Sequence, residues 1–450
     1  MASHWTCRLA LALFCLGLSG CPGDPFVDCL PSPEPLPDPN PAPGLVVTGQ
    51  QVRMRVTPTA LSTGCGTVET SIPSSATVEI EGPEGEPIEG QITVVSSFRA
   101  PSRLEFTPTR PGPHHIVVTF SQVGGLHQFD LHAAQNRSAE APRESFLRTC
   151  ETLERTTKGA WACDSSVLRG STVLKSFSEA KLAVAGDVVW VVDRLNIRRF
   201  VDTGTDLVQS ASFTHSLTGA EFILASPDEL FVLHSYSLGY YTFNGESITS
   251  PSNVLWTRPP DHIHPTGPAG LLLRDGARLG LVTRTRSSDT STLQVCTYTL
   301  VSGRFQLPQG PCPSLPGEVI GFESGVVWTR DLPAFNSQGQ NQGLVRRWVW
   351  TGGQLLDQGS LSLGPNTTFV DRPMKSREMV PLVRNAVFGE DIPRITAVLT
   401  WSPTRKSLLL EQLDAELTDA SATSSLYWGT APPSAPTANT TWVRQRPPPQ

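Results

Sequence analysis

The chain has 450 residues, of which 38% are hydrophobic, with 35 Lys and Arg against 41 Asp and Glu. This length is sufficient for two or three folded domains, each with its own core. The mildly negative balance excludes the basic surface typical of proteins that bind nucleic acid, so we expect no nucleic-acid partner.

The N-terminal segment predicts a secretory signal. Arg8 and the free amine precede an apolar run from Leu9 to Leu18, which is the layout of a cleaved signal peptide. The run is too short to span a bilayer, because a transmembrane helix takes about 20 apolar residues.

The end of this run carries a second signal, Leu18-Ser19-Gly20-Cys21. It resembles the lipobox of bacterial lipoproteins, in which a large aliphatic residue and two small residues precede a cysteine that receives lipid. The resemblance covers these residues alone. It implies that residues 1–20 are removed, that Cys21 is lipidated, and that the lipid anchors the protein to a membrane of the cell envelope, at the outer membrane or cell surface. The alternative is an unlipidated signal peptide, which usually ends in an Ala-x-Ala-like site that is absent here.

The segment after the cysteine predicts a spacer. Proline occupies nearly every second position from Pro31 to Gly44, and such sequences form extended, semi-rigid polyproline chain. We therefore assign residues 21–44 to a stalk that holds the folded part away from the membrane.

The remaining cysteines predict disulfides. Cys7 and Cys15 leave with the signal peptide, which leaves six besides Cys21, an even number that suits an oxidising compartment. Fifteen connectivities are possible in principle. Short separations favour two local pairs and leave a third pair by elimination: Cys150 with Cys163, Cys296 with Cys312, and Cys29 with Cys65. None has the Cys-x-x-Cys spacing of redox or zinc sites.

Residues 45–135 predict a first folded unit of short strands. In QVRMRVTP, the side chains of Val52, Met54 and Val56 alternate onto one face, as in a half-buried strand. The segment FTPTRPGPHHIVVTF resembles the closing hairpin of bacterial immunoglobulin-like modules. That resemblance implies an immunoglobulin-like β-sandwich, which needs about seven short strands.

Residues 145–420 contain a degenerate repeat. DVVWVVD (Asp187 to Asp193) recurs as GVVWTRD (Gly325 to Asp331), and glycines in predicted tight turns follow at intervals of 41, 58 and 49 residues: Gly204, Gly245, Gly303 and Gly352. A period of about 40–50 residues with four strands predicts a β-propeller. We expect an all-β protein with about six blades, five or seven being alternatives, and a largely disordered Pro-rich tail over residues 421–450. A string of β-sandwiches is the rival architecture, but its period would be longer.

The repeat also predicts a binding site. Asp193, His234, Arg284 and Asp331 follow equivalent strands, and equivalent strand ends meet on one face of a propeller. We expect Asp193, Arg284 and Asp331 to form the polar floor of a ligand site, with the two carboxylates facing each other across the channel and the Leu332 to Gly343 loop above them.

Motifs for catalysis and metal binding are missing from the sequence. It has no Gly-x-Ser-x-Gly, His-Glu-x-x-His or Walker sequence, and His262 and His264 stand beside proline in a predicted loop. We predict no catalytic residue, metal or cofactor. The expected function is a membrane-anchored envelope lipoprotein that binds a protein or polysaccharide, or serves as a scaffold, through its propeller face. A polysaccharide-active hydrolase or lyase, and a structural component of an outer-membrane assembly, are the alternatives.

Overall fold

The computed structural model describes most of the chain from residue 45 to residue 445. The described ranges are 45–56, 62–63, 66–67, 74–95, 102–121, 125–136, 143–146, 148–150, 152–216, 219–255, 270–286, 291–308, 310–323, 325–330, 344–362, 367–369, 382–385, 396–402, 407–412, 419–422, 426–430 and 440–445. Every regular element in them is a strand. No helix in these ranges is long and apolar enough to cross a bilayer. The predicted signal peptide, the stalk, Cys21, Cys29 and Cys65 lie outside them.

The N-terminal unit consists of two main sheets around one core. Its strands are β1 (Leu45–Val47), β2 (Val52–Val56), β3 (Ser62–Thr63), β4 (Gly66–Thr67), β5 (Ala76–Glu81), β6 (Gly90–Thr93), β7 (Ser102–Phe106), β8 (Gly112–Phe120) and β9 (Gly125–Ala134). One sheet has the order β1-β9-β8-β5 and the other β2-β7-β6, while β3 and β4 form a small hairpin.

The core of this unit follows from alternation along its strands. Val52, Met54 and Val56 of β2 are buried while the residues between them are exposed, as predicted. They pack with inward residues of the other sheet, including Ile116 and Phe120 of β8. Two sheets therefore enclose one hydrophobic layer; the immunoglobulin-like topology of this unit stays a prediction.

The rest of the chain forms a second unit of short strands. They are β10 (Arg143–Phe146), β11 (Leu153–Arg155), β12 (Trp161–Cys163), β13 (Ser166–Arg169), β14 (Thr172–Ser176), β15 (Lys181–Ala185), β16 (Val188–Val192), β17 (Asn196–Asp202), β18 (Leu207–Thr214), β19 (Ala220–Ala225), β20 (Glu229–His234), β21 (Ser237–Phe243), β22 (Ile248–Leu255), β23 (Gly270–Asp275), β24 (Arg278–Arg286), β25 (Ser291–Val301), β26 (Arg304–Gln306), β27 (Ser314–Pro316), β28 (Glu318–Glu323), β29 (Val326–Arg330), β30 (Leu344–Thr351), β31 (Gln354–Ser362), β32 (Thr367–Phe369), β33 (Leu382–Asn385), β34 (Thr396–Ser402), β35 (Ser407–Gln412), β36 (Asp419–Ala422), β37 (Leu426–Thr430) and β38 (Thr441–Gln445).

These strands form the blades of a β-propeller. Blades 1 to 6 are antiparallel sheets of four consecutive strands: β11–β14, β15–β18, β19–β22, β23–β26 with β27 added, β28–β31, and β32–β35. Through blades 1 to 4 each first strand contacts the first strand of the next blade, and several fourth strands also contact one another. The first strands therefore lie at the centre and the fourth strands at the periphery.

The last sheet joins distant parts of the chain. Blade 7 has the order β10-β38-β37-β36, so β10 supplies its outermost strand. Seven blades are thus present within the described residues, whereas the sequence favours six and leaves seven as an alternative. Strands β37 and β38 lie within residues 421–450, where the sequence predicts a largely disordered tail; they are ordered because β38 pairs with both β10 and β37 in blade 7.

The repeat found in the sequence is confirmed within single blades. Trp190 of β16 and Trp328 of β29, the repeated tryptophans, are fully buried in equivalent second strands. The predicted turn glycines all adopt positive φ, with values of 97°, 99°, 77° and 61°: Gly204, Gly245, Gly303 and Gly352. This left-handed backbone suits glycine in tight hairpins.

Two of the three predicted disulfides are confirmed. Cys150 and Cys163 are bridged, with their Cα atoms 5.3 Å apart, and Cys296 and Cys312 are bridged at 4.8 Å. The first bridge belongs to a cluster in which Phe146 of blade 7 packs with Trp161 of blade 1. It therefore reinforces the contact at which the last blade meets the first.

The propeller has two faces. We call front face the side that carries the turns between second and third strands, and back face the side that carries the turns between first and second strands.

The N-terminal unit contacts blade 6, where the Gln135 backbone N–H donates to the Leu410 carbonyl at 2.7 Å.

Candidate functional site

Asp193 lies on the front face, directly after β16, where it holds its own turn. Its Oδ1 accepts hydrogen bonds from the backbone N–H groups of Leu195 at 2.9 Å and Asn196 at 2.7 Å, and its Oδ2 pairs with Arg198. Burial alone would raise the pKa of Asp193, but these hydrogen bonds and the arginine outweigh it, so the pKa is lowered. The carboxylate is charged and already has several partners.

Arg284 lies in a second front-face cluster, between blades 4 and 5. Its Nη1 is 3.1 Å from Oε1 of Glu318, and the other carboxylate oxygen, Oε2, is 3.0 Å from Nη2 of Arg330. Glu318 begins β28 and its side chain is 7% exposed. The residue before it, Gly317, has φ +99°, and a Cβ there would lie 2.7 Å from the Arg330 carbonyl oxygen. Glycine is therefore required for this close approach.

The predicted three-residue floor is not assembled by the described residues. Asp331 and the Leu332 to Gly343 loop lie outside them. The strands preceding Asp193 and Asp331 belong to blades 2 and 5, and in a seven-membered propeller blades three apart are not diametrically opposite. The expectation that the two carboxylates face each other across the channel depended on a ring of six blades. With seven blades it no longer follows.

A pair of buried histidines links blades 2 and 3 beneath the front face. The rings of His215 and His234 are 5.5 Å apart, and Nε2 of His215 is 3.1 Å from the Asp193 carbonyl oxygen. Burial lowers the pKa of His215, partly offset by that carbonyl. The neutral imidazole is thus favoured, and its Nε2–H donates to the carbonyl. The sequence repeat places His234 at a position equivalent to Asp193, but it does not predict the contact between blades 2 and 3.

Above these histidines, two exposed apolar side chains occupy equivalent turns. Leu195, between β16 and β17, is 63% exposed, and Tyr236, between β20 and β21, is 60% exposed. The backbone N–H of His215 donates to the Leu195 carbonyl at 2.8 Å, and His234 precedes Tyr236 by two residues. The histidine pair therefore connects the two turns. These two side chains form what we call the apolar front patch.

Charged groups lie on the same face as the apolar front patch. Lys181 starts β15 at the centre of the propeller, where it is reached by solvent although surrounding protein lowers its pKa, an effect that Glu221 partly opposes. Glu221 also accepts a hydrogen bond of 2.9 Å from Ser235. At the rim, Arg194 and Glu179 form an exposed pair at 3.9 Å. The front face therefore carries both exposed apolar and charged side chains.

Two arginines that sequence reasoning missed lie between blades. Arg199 pairs in register with Trp190 and lies 4.1 Å over the ring of Phe243 in blade 3. Arg347 is the cross-strand register partner of Trp328, and its guanidinium lies 5.0 Å over the ring of Trp401 in blade 6. Cation–π contacts of buried arginine contribute about 2 kcal/mol. The signal was present as Arg-Arg-aromatic in both repeats, IRRF and RRW.

Among the described residues, no three or more His, Cys, Asp and Glu side chains are arranged to hold a metal ion. His262 and His264 lie outside those residues.

The chain matches no protein-family model, and no curated protein matches it. Among solved structures, it resembles the N-terminal domain of Nup159 with 9% identity and a TM-score of 0.33, over 66% of this chain and 81% of that one. It also resembles two proteins of Bacteroides thetaiotaomicron. One is named quinoprotein alcohol dehydrogenase-like, with 7% identity and a TM-score of 0.31 over 90% of this chain and 99% of that one. The other is of unknown function, with 10% identity and a TM-score of 0.30 over 92% and 98%. TM-scores this low carry no argument, so the propeller assignment rests on the strand pairing of this chain.

Proposed function

We propose that the protein is a lipid-anchored binding protein of the bacterial cell envelope, which holds a partner protein against the front face of its propeller. The apolar front patch carries this proposal. Leu195 and Tyr236 are each more than half exposed, although both belong to turns fixed by hydrogen bonds or buried neighbours. Large aromatic and aliphatic side chains held rigidly in solvent, with charged groups on the same face, are typical of protein-binding surfaces.

The acidic groups of the front face favour binding over acid–base catalysis. Asp193 is paired with Arg198, and Glu318 with Arg284 and Arg330. An arginine nearby stabilises the ionised carboxylate, whereas a glycosidase needs one carboxylic acid that keeps its proton. A protein partner is therefore preferred to a polysaccharide substrate.

Site-specific photo-crosslinking tests the binding face. A photoreactive phenylalanine analogue at position 236 should give one defined protein adduct in intact cells, and the same analogue at Val301, which is 45% exposed on a hairpin of the back face, should not. The Leu195→Asp change should remove the adduct at 236, because a charge is placed in the apolar patch. Adducts that are equal at both positions, that persist in Leu195→Asp, or that contain carbohydrate would contradict the proposal.

The anchor rests on the lipobox and is tested separately. Cys21→Ser should move the protein from the membrane fraction to the soluble fraction or leave it uncleaved, because two or three buried acyl chains make membrane attachment effectively permanent. Blotting of fractionated cells measures this. Unchanged fractionation and unchanged gel mobility of the variant would refute lipidation.

A further inference from the structure

A cavity of about 640 Å³ opens on the back face, among blades 3, 4 and 5. Its walls come from the ends of the first strands β19 and β23, the start of β20, and the end of β30. Small-molecule sites in proteins usually measure about 300–1,000 Å³. This cavity lies on the opposite face from the apolar front patch and shares no residue with it.

Aromatic side chains form much of its wall. Phe231, Phe322 and Trp350 line the cavity, and each is at least 96% buried. Trp350 of blade 5 fits here because Gly280 of blade 4 has no side chain: a Cβ at Gly280 would lie 2.9 Å from the indole. Their rings pack mainly on protein, as Phe231 does on Tyr240 at 4.9 Å, so they give the cavity a rigid apolar wall.

One polar group in the wall lacks a partner. The indole N–H of Trp350 is buried and has no hydrogen-bond acceptor among the described residues. A buried N–H without an acceptor costs free energy, and such groups in folded proteins commonly receive a partner from water or ligand.

Arg274 supplies positive charge at the same wall. Its Nη1 lies 2.5 Å from Glu229, its Nε donates to the Gly276 carbonyl at 3.0 Å, and its guanidinium lies 4.9 Å over the ring of Phe231. A guanidinium has five N–H donors, and these contacts use two of its three nitrogens. The arginine is therefore positioned by its neighbours with further N–H groups left to donate.

The acidic groups nearby are already engaged. Glu229 accepts a hydrogen bond of 2.7 Å from Tyr240 in addition to Arg274, and Asp275 accepts one of 2.7 Å from the Gly352 N–H. Burial would raise the pKa of Glu229, but Arg274 and Tyr240 outweigh it and the pKa is lowered. The acid thus stays ionised and paired, so the cavity favours acceptors over cations.

We propose that this cavity binds a small apolar carboxylate, with its apolar part against the wall and its carboxylate on Arg274. The wall accepts the body of the ligand, and the guanidinium determines its charge.

Binding of 2-naphthoate, measured by titration calorimetry on the purified mature chain, tests the proposal. Its neutral match 2-naphthamide should bind about tenfold more weakly, because a hydrogen bond to a charged group contributes more than a neutral one. Arg274→Gln should remove this preference for the anion. Arg304→Gln is the matched control, since Arg304 is an exposed residue on the outer strand of the same blade and does not line the cavity.

A further variant separates the cavity from the charge. Ala225→Phe places a ring in the cavity and should abolish binding of both ligands. Thermal unfolding identifies any variant that does not fold. If the cavity variant does not fold, the comparison of Arg274→Gln with Arg304→Gln tests the proposal. The proposal is overturned if 2-naphthoate shows no saturable binding at millimolar concentration, if a folded Ala225→Phe variant binds it normally, or if Arg274→Gln and Arg304→Gln behave alike.

Discussion

Two glutamates on opposite faces of the propeller show how the same chemistry produces different surfaces. Glu318 on the front face and Glu229 on the back face each begin a strand and each form an ion pair with an arginine of blade 4. Glu318 receives a second arginine, Arg330, and is 7% exposed. Glu229 receives the hydroxyl of Tyr240 instead and is 28% exposed.

The difference between the two faces lies in what surrounds the pair. On the front face two guanidinium groups enclose the carboxylate, so the junction between blades 4 and 5 is closed. On the back face aromatic side chains stand around a single guanidinium and leave a cavity. An inter-blade ion pair therefore acts as a closed junction where a second arginine is present, and as the polar wall of an open site where aromatic residues replace it.

The largest expected effect is the loss of the closed junction. Glu318→Gln removes the buried carboxylate that Arg284 and Arg330 share, and breaking a buried ion pair costs about 3–5 kcal/mol. Glu229→Gln should cost about 1–2 kcal/mol, because solvent reaches that pair. Thermal and urea unfolding of the two variants measure this, and equal losses would mean that the two faces are held in the same way.

A smaller effect is expected from the front-face histidine pair. Since burial lowers the pKa of His215 below that of the unfolded chain, His215 contributes stability that is fully present above about pH 6.5 and is lost as the pH falls through its lowered value. His215→Gln should therefore flatten the decline of unfolding free energy on the acid side. His115→Gln is the control, because His115 is exposed beside Asp130. An unchanged slope in His215→Gln would remove this histidine from the pH dependence.

The smallest effect is expected from Asp193→Asn. The amide oxygen still accepts from Leu195 and Asn196, and only the ion pair with Arg198 is lost, so the cost should be below about 1 kcal/mol. The photo-adduct at position 236 should also persist. Loss of the adduct in a folded Asp193→Asn variant would place Asp193 in the ligand site after all. It would also weaken the distinction between a closed front face and an open back face.

Much of the propeller could be predicted because its signals are local. A buried tryptophan in a second strand, a glycine in the following hairpin, and two cysteines fewer than 20 residues apart are features of single blades. The sequence favours six blades over seven because β10 and β38 are about 300 residues apart in the chain. No short-range period contains such a pairing.

The candidate site was harder to predict than the fold. A carboxylate after a strand indicates a position on a face, but whether it meets a ligand depends on backbone N–H groups close by, and those of Leu195 and Asn196 already hold Asp193. The back-face cavity depends on packing across three blades, for example Trp350 against Gly280. The Arg-Arg-aromatic repeat is a signal that the sequence contains, and it could have predicted the arginines between blades.

The pairing of β10 with β38 has a mechanical consequence. The chain that joins the N-terminal unit to the propeller enters through β10, so any force applied to that unit reaches the peripheral strand of blade 7 first. Four register pairs oppose the force, from Arg143 with Arg444 to Phe146 with Thr441. Cys150 follows a few residues later and is covalently linked to Cys163 in blade 1. Tension therefore passes into a covalent bond before it can separate the inner strands, and a tethered protein of this design would lose one edge strand under load while the remaining blades stay folded.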